Sequence, residues 1–278
     1  MSLHVCSLNS GSNGNCYYIA NATEAILVDA GISCRETEKR MARAGLSLKK
    51  VKAIFVSHEH HDHIRGIPVL ARKYQIPVYI NTRTLQHGSL TLDPHLVRHF
   101  SNYDDIAVGG LSITAFPKFH DAADPCSFIV SGNKVRVGIF TDIGFPCEHV
   151  IAHFKQCHAA FLEANYDSLM LANGNYPYHL KRRITGGRGH LSNMQAVEVF
   201  KTHKPEYMSH VFLSHLSKDN NCPDLVKSIF AGCAGSTKVV VASRYQETEV
   251  YEIAASATES KILNHTFGES EFFQYSLF

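Results

Sequence analysis

The chain has 278 residues, 45% hydrophobic and 19% charged, which bounds it to one large α/β domain or two small ones and excludes a disordered protein. A net charge of +2 and the absence of any run of about 18 apolar residues give no argument for nucleic acid or a membrane from composition alone. Eight scattered cysteines without a CxxC pair exclude a disulfide framework and a cysteine zinc site, and fit reduced thiols in a cytoplasmic protein.

The opening MSLHVCSLNSGSNGN has no basic region followed by an apolar one, so no signal peptide is expected. HVCSL (4–8) and NCYYIA (15–20) read as strands around a glycine-dependent loop, and AILVDAG (25–31) as a buried strand ending near Asp29. A helix is predicted from Ser33, a capping residue, to Ala44, with Gly45 closing it. VKAIFVS (51–57) is an apolar strand that runs into SHEHHDH (57–63), followed by a helix over 64–74 and a strand over 77–81.

Further strands are predicted at 111–117, 127–132, 135–142, 159–165, 207–215, 237–244 and 249–254, with helices at 149–157, 192–203 and 223–232. Ser192 or Asn193 can cap the second of these helices. The last 25 or so residues have no firm period and receive no element. There are no repeats, low-complexity segments or linkers, so the chain is expected to form one domain.

The segment 57–63 carries the chemistry. It lies between a strand and a helix, at the carboxyl edge of a sheet, where open α/β sheets place their ligands. Such a loop can turn His58 and His60 toward one point and Asp62 and His63 toward another. One ion cannot easily use all four from so short a segment, whereas two ions about 3.5–4 Å apart can. The alternative, a solvated histidine-rich turn in a chain with 18 histidines, does not explain what stands elsewhere. Asp29, His120, Asp142 and His215 each end or closely follow an apolar strand. His87, His95, His99, His153, His158 and His203 fit no pattern and read as ordinary surface or core histidines, and Glu59 and His61 as spacers, Glu59 solvated.

The form His58-x-His60-x-Asp62-His63, with Asp29 upstream and His120, Asp142 and His215 downstream, resembles the metallo-β-lactamase fold over nearly the whole chain. The resemblance implies an αβ/βα four-layer sandwich of two mixed β-sheets. It further implies two divalent metal ions, one on His58, His60 and His120, the other on Asp62, His63 and His215, with Asp142 bridging. Asp29 would orient the loop by hydrogen bonds without being a ligand. Zinc is favoured, and such a ligand set also accepts manganese or iron.

Three features narrow the substrate. His63 takes the place that is arginine in the best-known lactamases, and the histidine form is typical of thioesterases and phosphodiesterases of this fold. The stretch KRRITGGRGHLSN (181–193) sets Lys181, Arg182, Arg183 and Arg188 within nine residues of His190. Its glycines and the helix start at Ser192 and Asn193 suit an approaching phosphate. Glu163 ends a predicted strand, and the order Glu163 then His190 resembles that of tRNA-processing endonucleases of this fold, where such a pair assists leaving-group departure.

Together with SGSNGN (10–15), FHDA (119–122), TDIG (141–144), YPYHLKRRI (176–184) and HLSKDNN (215–221), these segments are similar to the YycJ/WalJ family of single-domain metal-dependent exonucleases. Tyr178-His179 departs from that pattern, in the presumed substrate loop. The 72 residues between Asp142 and His215 leave no room for the β-CASP insertion of larger relatives. The expected function is therefore 5′-to-3′ hydrolysis of nucleic acid, DNA favoured, with no membrane role and no obligate protein partner. Asp62, Asp142, Glu163 and His190 form the expected catalytic set, and the basic residues with Ser192 and Asn193 the substrate contacts. The rival reading is a small-molecule hydrolase of the same fold, a glyoxalase-type thioesterase or a lactonase.

Overall fold

A computed structural model describes residues 2–255; the C-terminal stretch to which the sequence assigns no element lies outside the described residues from 256 on. Along the chain the strands are β1 (Ser2–Asn9), β2 (Cys16–Ala20), β3 (Ala25–Val28), β4 (Val51–Phe55), β5 (Val78–Tyr79), β6 (Val97–Arg98), β7 (Asp105–Val108), β8 (Leu111–Pro117), β9 (Cys126–Gly132), β10 (Val135–Phe140), β11 (Ala159–Glu163), β12 (His210–Ser214), β13 (Lys238–Val241) and β14 (Tyr251–Ala254). The helices are α1 (Cys34–Arg43), α2 (His61–Ile64), α3 (Ile67–Tyr74), α4 (Thr82–His87), α5 (Glu148–Phe154), α6 (Ser168–Asn173), α7 (Tyr178–Thr185), α8 (Asn193–His203) and α9 (Pro223–Ala231).

Two seven-stranded sheets result, in the orders β14-β1-β2-β3-β4-β5-β6 and β13-β12-β11-β10-β9-β8-β7. Each is mixed. Pairing is antiparallel up to β3 in one sheet and up to β10 in the other, and parallel beyond. The strands alternate between two apolar environments, as a period of two requires. Tyr17, Ile19, Ile26, Val28 and Phe55 meet Phe128, Val137, Ile139, Phe161 and Phe212 between the sheets. The opposite faces of the first sheet pack under α1 and α3, and those of the second under α5, α8 and α9. The layers are therefore helix, sheet, sheet, helix, and the expected αβ/βα sandwich is the observed architecture.

Local chemistry explains most boundaries. Ser33 caps α1 by accepting from Glu36 N, and Gly45 follows its end at φ 69°. Ser192, not Asn193, caps α8, in a reciprocal box with Gln195. The single helix expected over 64–74 is instead two. Gly66 lies so close to the loop after β3 that a Cβ there would stand 1.9 Å from Ile32 O, and Pro68 restarts the helix as α3. The first piece, α2, begins at His61, so Asp62 and His63 ride on a helical turn. Sequence patterning misses α4, α6, α7, β6 and β7, all short. The segment α6–α7 has its own small core of Tyr166, Leu171 and Ile184, with Tyr176 and Leu180.

Candidate metal centre and active site

All seven expected ligands converge where the parallel strands of both sheets end. His58, His60 and His120 form one group; Asp62, His63 and His215 form another; His58 and His63 form a third with Asp142. Within each group the ligand-type atoms lie within 4.8 Å of one another. Asp29 and His215 directly follow the ends of β3 and β12, and Asp142 lies one residue beyond the end of β10; all three are in left-handed backbone, at φ 59°, 58° and 55°. Asp and His tolerate that region better than most residues, yet it stores strain, and such strain gathers at functional sites. Gly31 holds the motif from below: a Cβ there would stand 1.7 Å from Asp62 O.

The hydrogen bonds around the histidines leave their other nitrogens facing inward. Asp29 accepts from Ser57 N and Ser57 Oγ at 2.8 Å each, and stands 2.7 Å from His63 Nδ1. A carboxylate has no proton to give, so Nδ1 donates and Nε2 is the nitrogen left to face the site, where a metal would take the place of its proton. Since Ser57 Oγ gives its proton to Asp29, it accepts from His58 Nδ1 at 2.9 Å, which frees His58 Nε2 in the same way. His120 Nδ1 donates to Gly189 O at 3.0 Å, and His215 Nδ1 to Glu163 Oε1 at 3.1 Å.

The electrostatics match this arrangement. Burial penalises a cation on His63, but Asp142, Asp29 and Asp62 outweigh it and lift its pKa to about 10. His215 is lifted well above the usual range against the same penalty, chiefly by Asp142, Asp62 and Glu163. Burial raises the Asp142 carboxyl, but His215 and His63 hold it well below the usual range; Asp62 is held near 2 against its own burial by His63 and His215. On the other side, burial pushes His58 well down and His120 to about 3. The site thus has a cluster of carboxylates that demand positive charge beside two histidines kept neutral.

A divalent cation fits these residues. His58 Nε2 and Asp142 Oδ2 are buried without a hydrogen-bond partner, a costly state for polar atoms unless something compensates them. His63 Nε2 stands 3.1 Å from Asp142 Oδ2 but makes no hydrogen bond with it. Imidazole and carboxylate donors in this mix suit zinc, manganese or iron.

Glu163 sits behind the site, fully buried. Its Oε1 accepts from His190 Nδ1 at 2.8 Å as well as from His215, and its Oε2 from Ile143 N at 2.7 Å and Leu191 N at 3.2 Å. Burial raises its pKa, but His190 and then His215 bring it to about 2, so the residue is an anion. The His190 ring stacks on His215 with centroids 5.2 Å apart and its Nδ1 is 3.7 Å from Asp142 Oδ1.

The basic segment divides. Arg182, Arg183 and Arg188 are exposed and line a cleft with Phe119, Phe145 and Asp121. Arg183 Nε also donates to Asp121, whose Oδ1 lies 3.3 Å from His120 Nε2. The other three expected substrate contacts, Lys181, Ser192 and Asn193, each make a hydrogen bond within the fold. Lys181 Nζ donates to Ala172 O, at the end of α6. Ser192 Oγ is used in the helix cap, and Asn193 Nδ2 donates to Asn221 Oδ1 inside the fold. Glu59 is not solvated as expected: its Oε1 accepts from Ala123 N at 2.7 Å and pins the loop after His120. His61 is exposed and serves as a spacer.

Sequence reasoning overlooks four supports. Ser57 relays Asp29 to His58. Asn15 accepts from Gly11 N and Tyr17 Oη, which turns Nδ2 toward Asp62 Oδ2 at 3.2 Å. Buried Lys118 donates to Thr141 O at 2.7 Å and fixes the turn into Asp142. Asn165 Nδ2 donates to His215 O at 2.7 Å. Asn15 lies in the quoted SGSNGN and Ser57 opens the motif itself, so both were visible as residues, but nothing in their spacing marks the role.

The family model described as "Beta-lactamase superfamily domain" matches residues 24–215. Exodeoxyribonuclease YycJ of Bacillus anthracis is 37% identical over 232 residues, 82% of this chain and 87% of its own length. Exodeoxyribonuclease WalJ of Streptococcus pneumoniae is 32% identical over 225 residues, 78% of this chain and 83% of its own. In structure, the metallo-beta-lactamase fold protein YhfI from Bacillus subtilis covers 91% of the chain and is itself covered completely (100%), with a TM-score of 0.71 at 18% identity, a likeness of fold.

Proposed function

The chain belongs to the β-lactamase superfamily and, within it, to the family of the exodeoxyribonucleases YycJ and WalJ; from that membership we propose that it removes nucleotides from the 5′ end of DNA in a metal-dependent reaction. His58, His60 and His120 would hold one divalent ion, Asp62, His63 and His215 a second, and Asp142 both, with zinc favoured over manganese or iron. Such ions, when bound, acidify water and offset phosphate charge.

The chain's own residues do the rest. Arg182 and Arg188 meet neighbouring phosphates at the mouth of the site. Asp142 and Asp62 orient the attacking water by accepting its hydrogen bonds, and Asp62 takes the proton the water loses. As the water oxygen bonds to phosphorus, the bond from phosphorus to the departing sugar oxygen breaks. His190 gives that oxygen its proton, and the Glu163 anion, 2.8 Å from Nδ1, holds the ring in place for the transfer.

The observation that carries this reading is the place of His190. It is held by a buried carboxylate, stacked on His215, and follows directly on a loop bearing exposed arginines. A poor alkoxide leaving group beside further phosphates needs that combination, whereas a thioester needs neither part. The test is a digest of end-labelled single- and double-stranded DNA and RNA, alongside a glutathione thioester, with and without added metal. Stepwise loss of the 5′ label from DNA, abolished by chelator, is expected. Thioester turnover without cleavage of any polynucleotide would sink the proposal.

A further inference from the structure

Among the described residues only two phenylalanines are exposed, Phe119 at 42% and Phe145 at 39%. They are not scattered. Their rings lie 4.5 Å apart between centroids with a 32° tilt, so they form one continuous apolar surface. Both are tethered to the site: Phe119 immediately precedes His120, and Phe145 follows Asp142 by three residues. Gly144 N donates to Phe119 O at 2.7 Å and locks the two loops together. A Cβ on Gly144 would stand 2.3 Å from Gly187 O, so the arginine-bearing loop packs on the same spot. The result is a cleft of about 460 Å³ with an aromatic floor and a rim of Arg182, Arg183 and Arg188.

We propose that the Phe119–Phe145 pair is a stacking platform for an unpaired nucleobase of the substrate, beside the phosphate to be cleaved. The proposal rests on the nuclease reading and deepens it. Two adjacent exposed phenylalanines are unfavourable in water unless a ligand covers them. A nucleotide brings what this cleft offers partners for: a flat π-face for the rings and an anionic phosphate for the guanidiniums. Every base has such a face, so the platform is indifferent to sequence, as an exonuclease that proceeds along a strand requires. It also demands that the base be out of a duplex, which makes single-stranded or frayed ends the preferred substrate.

The experiment moves one abasic site through the first three positions of a single-stranded DNA and measures kcat/KM with the metal-loaded protein. A parallel series carries 2-aminopurine there, and its fluorescence is followed on mixing, before cleavage. One position should lose about 5- to 150-fold when the base is absent, the effect of one lost stack. The 2-aminopurine signal should be quenched at that position. The Phe119→Leu/Phe145→Leu double variant should cleave abasic and base-bearing strands alike and lose the quench, while Phe145→Tyr, which keeps a ring, should retain both the preference and the quench. If wild-type protein is insensitive to the abasic site at every position, or the Leu variant keeps the wild-type preference, the platform is wrong and the nuclease stands. If wild-type protein turns over small esters but no oligonucleotide, the nuclease reading itself fails and the platform with it.

Discussion

Asp29 and Asp142 occupy the same place in the two halves of the molecule. Each directly follows, or follows by one residue, the strand at which its sheet changes from antiparallel to parallel, and each is left-handed, at φ 59° and 55°. Their surroundings separate their roles. Asp29 spends both oxygens on Ser57 and His63. Asp142 keeps Oδ2 buried and without a hydrogen bond. One carboxylate is spent in hydrogen bonds and the other keeps an oxygen free of them.

Asp29→Asn tests the first role. The amide still accepts from Ser57 N but no longer anchors the His63 Nδ1 proton against an anion. Metal affinity should fall about 10- to 100-fold, the usual effect of losing an outer partner, read by competition with a chromogenic chelator. Unchanged affinity would mean that His63 is oriented by other groups.

Glu163→Gln should behave differently from a loss of His190 alone. Glu163 Oε1 serves both His190 and His215. Metal affinity and turnover should therefore fall together in the variant, with metal content and kinetics measured on the same sample. A fall in turnover at full metal occupancy would confine Glu163 to His190.

The stability of the metal-free protein should peak near pH 6.5, the ordinary histidine value. Below it the unfolded chain takes up protons that His58 and His120, held low, refuse, so stability falls with falling pH. Above it the unfolded chain releases protons that His63, near 10, and His215 retain, so stability falls with rising pH. Bound metal should replace those retained protons and flatten the alkaline limb. Thermal melts across pH 5–9 with and without metal read this directly, and a metal-free optimum well above pH 8 would contradict it.

Arginines and lysine of the basic segment should separate in salt dependence. Arg188→Ala should lower the slope of log affinity against log salt for single-stranded DNA by about 0.7, the loss of one phosphate contact. Lys181→Ala should leave the slope unchanged, because that ammonium is bonded to Ala172 O. Equal slopes for all three proteins would remove Arg188 from the substrate path.

Much of the site was legible because its residues announce themselves by chemistry and by position after apolar strands. His58, Asp142 and His215 are marked by their places after apolar strands, and Glu163 by its order with His190, which resembles that of the tRNA-processing endonucleases. The supports were harder to read. Ser57, Asn15 and Lys118 act through single hydrogen bonds that depend on a turn's geometry, which composition and period do not encode. Lys181, Ser192 and Asn193 suit phosphate by residue type, and residue type does not announce the hydrogen bonds they make to α6, to the α8 cap and to Asn221. The short helices α6 and α7 were invisible because their apolar residues face a local cluster, too small to impose a period.

The most direct measurement is the effect of His190→Ala on two substrates at once, with metal content determined on the same protein. His190 is held by Glu163 at 2.8 Å, and its loss should leave fold and metal content intact. Turnover of DNA should fall roughly 10²- to 10⁴-fold, the range for losing a general acid, and turnover of a nitrophenyl phosphodiester, whose leaving group needs little protonation, much less. Loss of metal in the variant, or equal falls on the two substrates, would contradict His190 as the proton donor to the departing oxygen.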